Sequence, residues 1–113
     1  MQPARLDFVE LSVTDIAVAS TFYETAFGWS LTAFGPSYAC TMTGDVDVGL
    51  DADVASPPPP PLPAIRVPDL EAALAAVEAA GGTLTRPIFS FPGGRRFQFR
   101  DPSGNELAVH TPD

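Results

Sequence analysis

The chain is one pattern written twice. Gly28 follows Asp15 by thirteen positions, Gly82 follows Asp69 by thirteen, and an alternating apolar segment precedes each pair. Phe8-Val-Glu-Leu-Ser-Val-Thr-Asp15 matches Leu62-Pro-Ala-Ile-Arg-Val-Pro-Asp69, which sets Val9, Leu11 and Val13 opposite Pro63, Ile65 and Val67 at a constant offset of 54. A self-similarity this long is the mark of one supersecondary unit used twice. Each copy, about 50 residues long, is too small to bury a sufficient core alone. The two are therefore expected to share one domain over 1–113.

The order of elements in a copy follows from periodicity. Residues 6–13 alternate apolar and polar as a strand with one buried face does. Asp15 suits an N-cap, and Ile16, Ala19, Phe22, Tyr23, Ala26 and Phe27 recur at three- and four-residue steps, which predicts an amphipathic helix with those residues inward and a stop at Gly28. Residues 29–34, 37–42 and 46–50 read as three short strands between Gly35-Pro36 and Gly44-Asp45 turns. The first module, 6–51, is thus βαβββ.

Pro57 to Pro61 cannot donate to a strand ladder and favour an extended polyproline rod, so 52–61 reads as a semi-rigid linker. The second module, 62–110, repeats the order. It has a strand at 62–67, cap Asp69, a helix with Leu70, Ala73, Leu74, Val77 and Ala80 inward, a stop at Gly81-Gly82, and strands near 83–86, 95–100 and 105–110. Asp101-Pro-Ser-Gly104 is a type I turn signature closing the last hairpin.

Charge and composition exclude several partners. With a formal charge of -8 and six Lys+Arg, all of them Arg, the chain is poorly suited to a nucleic-acid backbone. No apolar run approaches the roughly 20 residues that span a bilayer, and the N-terminus lacks the zones of a secretion signal, so a cytoplasmic protein without membrane partners is expected. Cys40 is the single cysteine and reads as a small buried apolar side chain.

The paired βαβββ modules, Phe22-Tyr23 followed by Phe27-Gly28-Trp29, and the closing Asp101-Pro-Ser-Gly-Asn105 together resemble the vicinal oxygen chelate superfamily of glyoxalases, bleomycin-resistance proteins and extradiol dioxygenases. The resemblance covers nearly the whole chain. It implies an α+β fold in which the two modules form a cup-shaped mixed sheet. It does not select a function, because the superfamily hosts lyases, isomerases, dioxygenases, thiol transferases and drug binders. Its metal-dependent members place a His seven residues before the cap Asp in each first strand and a Glu four residues after the turn Gly. The corresponding residues here are Phe8, Leu62 and Ala108. None of these side chains can ligate an ion, and the lone carboxylates Asp45, Asp47 and Asp51 do not replace them. No metal and no other cofactor is expected. Two chains often complete each other's cups in short members, which implies a homodimer.

Strand alternation lists the concave face. If Val9, Leu11 and Val13 pack on a helix, Phe8, Glu10 and Ser12 point into the cup. The same logic sends Leu62, Ala64 and Arg66 inward, together with Glu106, Ala108 and His110 from the last strand, and Arg96, Gln98 and Arg100 beside them. The expected site is an apolar floor of Phe8, Leu62 and Ala108 bordered by Glu10, Arg66, Arg96, Gln98, Glu106 and His110, with Trp29 and Tyr38 available to stack on an aromatic ligand. His110 is the natural acid/base group, beside Glu106 or Glu10. A histidine so near the chain end is also commonly a surface residue, and Arg66 with Glu10 or Arg100 with Glu106 can be plain cross-strand ion pairs.

Three functions fit this pattern. The first is a metal-independent protein that binds an apolar or aromatic small molecule. The second is a metal-independent lyase or isomerase using His110 or Glu10 as acid/base, with Arg66 or Arg96 stabilising an oxyanion. The third is a metal enzyme of the glyoxalase or dioxygenase kind with relocated ligands, Glu10, Glu106 and His110.

Overall fold

The computed structural model describes residues 3–53 and 59–113. The centre of the expected proline linker, residues 54–58, lies outside the described residues. The elements run β1 (Arg5–Ser12), α1 (Ile16–Phe27), β2 (Thr32–Ala33), β3 (Tyr38–Cys40), β4 (Asp47–Asp51), β5 (Leu62–Arg66), α2 (Leu70–Ala79), β6 (Thr83–Phe91), β7 (Gly94–Arg100) and β8 (Glu106–Pro112). Both modules are βαβββ, and the α+β class follows. The backbone falls into two compact units, one taking in the chain up to Asp7 together with Pro63–Asp113, the other Phe8–Leu62.

The repeat is visible at the helix caps. Asp15 Oδ1 accepts from the Val18 amide at 3.0 Å, and Asp69 Oδ1 accepts from the Ala72 amide at 3.0 Å, so each aspartate satisfies one orphan donor of its helix. The ends differ. Gly28 is itself the left-handed cap of α1, with φ 70°, whereas in the second copy the left-handed residue is Gly81, with φ 101°, one position before the repeat's Gly82. Gly81 N then donates to Glu78 O and Gly82 N to Val77 O, the pair of bonds that defines a Schellman end.

In the unit Phe8–Leu62, β4 pairs with β1 in parallel and with β3 antiparallel, and β3 pairs with β2. Leu11, Leu50 and Ala39 share one cross-strand row, and Leu50 is fully buried. The next row holds Glu10, Gly49 and Cys40. Gly49 is required there, because a Cβ would meet the Tyr38 hydroxyl and come within 2.7 Å of Phe8 Cζ.

Helix α1 departs from expectation. It has no buried residue, and Val18, Phe22 and Phe27 are exposed rather than inward. The aromatic side chains pack on one another instead, with Tyr23 stacked on Trp29 at 4.9 Å and Phe22 edge-on to Tyr23 at 5.1 Å. Trp29 is taken up by that stack, and the strand expected over 29–34 shrinks to Thr32–Ala33.

The other unit follows the sequence closely on one side of its sheet and extends it on another. Its strands run β5-β8-β7-β6, parallel between β5 and β8 and antiparallel elsewhere. Val67, Leu70, Phe97 and Val109 form the buried cluster, and Ile65, Ala73, Leu74, Val77, Leu84, Ile88 and Phe99 pack against it, so α2 covers one face. Arg95 Nη1 donates to Glu71 Oε1 at 2.6 Å, tying β7 to α2 on that same face. Strand β6 runs to Phe91 rather than stopping at 86, past Pro87, with register shifts on either side of Arg86. A proline is tolerated because β6 ends the strand order, where an amide can be lost without breaking a central ladder.

Candidate functional site

Covering one face of β5, β8, β7 and β6 with α2 leaves the alternate side chains on the other. Two cross-strand rows define that face. Ala64, Ala108 and Gln98 are in register, as are Arg66, His110, Arg96 and Phe89 one step further along the strands. Neighbouring strands lie about 4.8 Å apart, so the imidazole stands between two guanidinium-bearing positions and the small alanines leave room beside it. Ala108 is fully buried and Ala64 nearly so.

His110 is the most constrained member. Its Nε2 lies 2.7 Å from Asp7 Oδ1, both side chains are largely buried, and Arg66 Nη1 stands 4.0 Å from Asp7 Oδ2. An ionised carboxylate only accepts, so Nε2 carries the hydrogen in this pair, and in the neutral ring the acceptor nitrogen is Nδ1. That is the tautomer a general base needs, fixed by a neighbouring carboxylate. The partner is Asp7, not Glu106 as expected from the sequence. Glu106 is occupied elsewhere: its Oε2 accepts from Thr85 Oγ1 at 2.7 Å and from Gln98 Nε2 at 3.1 Å, and Arg100 Nη2 lies 4.0 Å from its Oε1.

Aromatic rings complete the face. The Arg96 guanidinium sits 5.1 Å from the centre of Phe89 and 5.7 Å from that of Phe91, and Arg86 lies 3.7 Å over Phe89. Cation–π contact holds these planar cations in place. Arg66, Arg86, Arg96 and Arg100 face two carboxylates here, Asp7 and Glu106. This is a local excess of two positive charges in a chain of formal charge -8.

Of the residues expected at the site, Arg66, Arg96, Gln98, Glu106, Ala108 and His110 therefore share one face. Phe8, Glu10, Tyr38 and Leu62 belong to the other unit, where Phe8 and Tyr38 close over Gly49 and Glu10 is in register with Gly49. Trp29 stands in the stack at the end of α1. Three residues of the face escaped the sequence reading. Asp7 was passed over because alternation sets it opposite Phe8, and Phe89 and Phe91 because Pro87 ended the strand too early. The signal for the last two was the run Ile88-Phe89-Ser90-Phe91 before the Pro92-Gly93-Gly94 turn, a hairpin pattern.

Two other groups bear on chemistry. Burial pushes the Cys40 thiol up, and the nearby Asp47 charge adds to the shift, so this sulfur is a poor nucleophile. Burial would raise the Asp47 carboxyl, but it accepts from the Thr43 and Gly44 amides and the Thr41 and Thr43 hydroxyls at 2.7 to 3.0 Å and is held below the usual carboxylate range.

The comparisons agree with this architecture. Residues 5–109 match the family model of the Glyoxalase/Bleomycin resistance protein/Dioxygenase superfamily, and the chain belongs to that family. Among solved structures, hypothetical protein BH1468 from Bacillus halodurans aligns with TM-score 0.81 at 17% identity, over 99% of this chain and 96% of that one. Methylmalonyl-CoA epimerase from Mycobacterium tuberculosis aligns with TM-score 0.75 at 21% identity, over 96% and 87%. A glyoxalase/bleomycin resistance protein/dioxygenase superfamily member from Vibrio splendidus aligns with TM-score 0.71 at 20% identity, over 96% and 99%. At these identities the likeness speaks for the fold. No curated protein matches the chain.

The family's metal does not fit the residues present. Phe8, Leu62 and Ala108 carry no donor atom, and among the described residues no three His, Cys, Asp or Glu side chains gather to hold an ion. The relocated set of Glu10, Glu106 and His110 is thereby not assembled. Among the described residues no helix is long and apolar enough to cross a membrane.

Proposed function

We propose that this protein binds a small organic molecule on the β5–β8–β7–β6 face and does so without a metal. The observation that carries the reading is the row Arg66, His110, Arg96 beside the small Ala64 and Ala108. Binding pockets combine a few placed polar groups with apolar surface, and this face supplies both. Untagged protein should contain no stoichiometric Zn, Ni, Mn or Fe by elemental analysis. One ion per chain that survives a mild chelator would refute the metal-free reading.

A second reading is favoured by the 2.7 Å contact of His110 with Asp7. It is metal-independent proton transfer at a carbon next to a carbonyl, with Nδ1 of His110 taking the proton and solvent returning one to the same carbon. Deuterium exchange into the methylene of phenylpyruvate, followed by NMR, should be faster with the protein than in buffer and fall to the buffer rate with His110→Gln. Equal exchange by both proteins counts against a catalytic role.

A further inference from the structure

We infer that the molecule bound on this face is a small organic carboxylate, its charge received by Arg66 and Arg96 on either side of His110 and its carbon body lying against Ala64, Ala108 and Phe89. The inference deepens the binding function proposed above and rests on it. Three observations carry it. First, Arg66 and Arg96 are both in register with His110 on the strands flanking it, so two fixed positive charges converge on one point of the face. Second, Asp7 is the carboxylate recorded against this trio, and it is directed at His110 Nε2, with Arg66 no nearer than 4.0 Å. A guanidinium bonded to its partner carboxylate sits nearer 2.8 Å, so Asp7 does not claim the fork of Arg66, whose side chain remains half-exposed. Third, the face is locally cationic on a chain of formal charge -8. An acidic protein repels anions everywhere else, and a cationic concentration there has to serve a local purpose.

The geometry also argues for a carboxylate with an apolar body rather than a bare inorganic anion. Arg96 is propped by Phe89 and Phe91, and the neighbouring row offers only Ala64, Ala108 and the Gln98 amide. A planar carboxylate takes two parallel bonds from one guanidinium, and the aromatic surface then accepts the carbon skeleton.

The test compares phenylacetate with its neutral isostere phenylacetamide by calorimetric titration, using wild type, Arg66→Gln, Arg96→Gln and Arg95→Gln. Arg95 is on the same strand as Arg96 but pairs with Glu71 on the α2 face, so it controls for net charge. Thermal melts confirm that each variant is folded. Phenylacetate should bind at least about tenfold more tightly than the amide. Arg66→Gln and Arg96→Gln should each erase most of that preference, and Arg95→Gln should keep it. Equal affinity for acid and amide overturns the carboxylate inference while leaving small-molecule binding intact. Binding of neither probe at millimolar concentration overturns the inference, and a co-purified uncharged ligand on this face would then keep the binding reading alive. An acid preference lost equally in Arg95→Gln assigns it to overall charge and also overturns the inference.

Discussion

At the scale of residues, what distinguishes this chain from the metal-binding pattern of its family is substitution at three positions combined with one new pair. Phe8, Leu62 and Ala108 offer no ligand, while Asp7 and His110 meet at 2.7 Å. A histidine held by a carboxylate is a different chemical resource from an ion. It has one defined acceptor nitrogen and needs no loading. Elsewhere, Asp47 shows how a single carboxylate can fix a turn, accepting four bonds from Thr41, Thr43 and Gly44. Because its folded value lies below its unfolded one, its contribution to stability is fully present above the ordinary carboxylate value of about 3.9 and is lost as pH falls through the lower folded value. Asp47→Asn should therefore cost roughly 1–3 kcal/mol near neutral pH and show a shallower loss of stability in acid than wild type. Parallel acid-unfolding curves for the two proteins would show that the turn does not depend on the charge.

At the scale of elements, the helix caps and the strand alternation were legible and the edges were not. Asp15 and Asp69 could be read because an N-cap needs a short polar side chain at one fixed position before an apolar period. The inward set of β5, β7 and β8 could be read because period two leaves no choice once Leu107 and Val109 are assigned to the core. Strand β6 was cut short because Pro87 argues against a central strand, and nothing local says that β6 is an edge. Phe22 and Phe27 were misplaced because a helical apolar stripe says which residues lie together, not what covers them. Among the strands, β4 is the most sterically constrained, since Gly49 lies beneath Tyr38 and Phe8. Gly49→Ala should lower stability by about 1–3 kcal/mol through overpacking and shift the Tyr38 ring resonances. An unchanged denaturant midpoint would mean that Phe8 and Tyr38 move aside freely.

At the scale of the whole molecule, duplication explains the fold and divergence of the copies explains the site. Both modules keep βαβββ order, cap aspartates and a glycine stop, yet the polar face belongs to the second. Four of the chain's six arginines, Arg66, Arg86, Arg96 and Arg100, lie there. The first module instead spends its aromatic residues on a stack of Phe22, Tyr23, Phe27 and Trp29. The function read here follows from that asymmetry, and a map of ligand contact along the backbone tests it directly. In chelator-treated, isotope-labelled protein titrated with phenylacetate, the largest amide shifts should fall at Ala64, Arg66, Arg96, Gln98, Ala108 and His110. Largest shifts along α1 or β4, or shifts that appear only after a divalent metal is added back, would contradict a metal-free site on the second module.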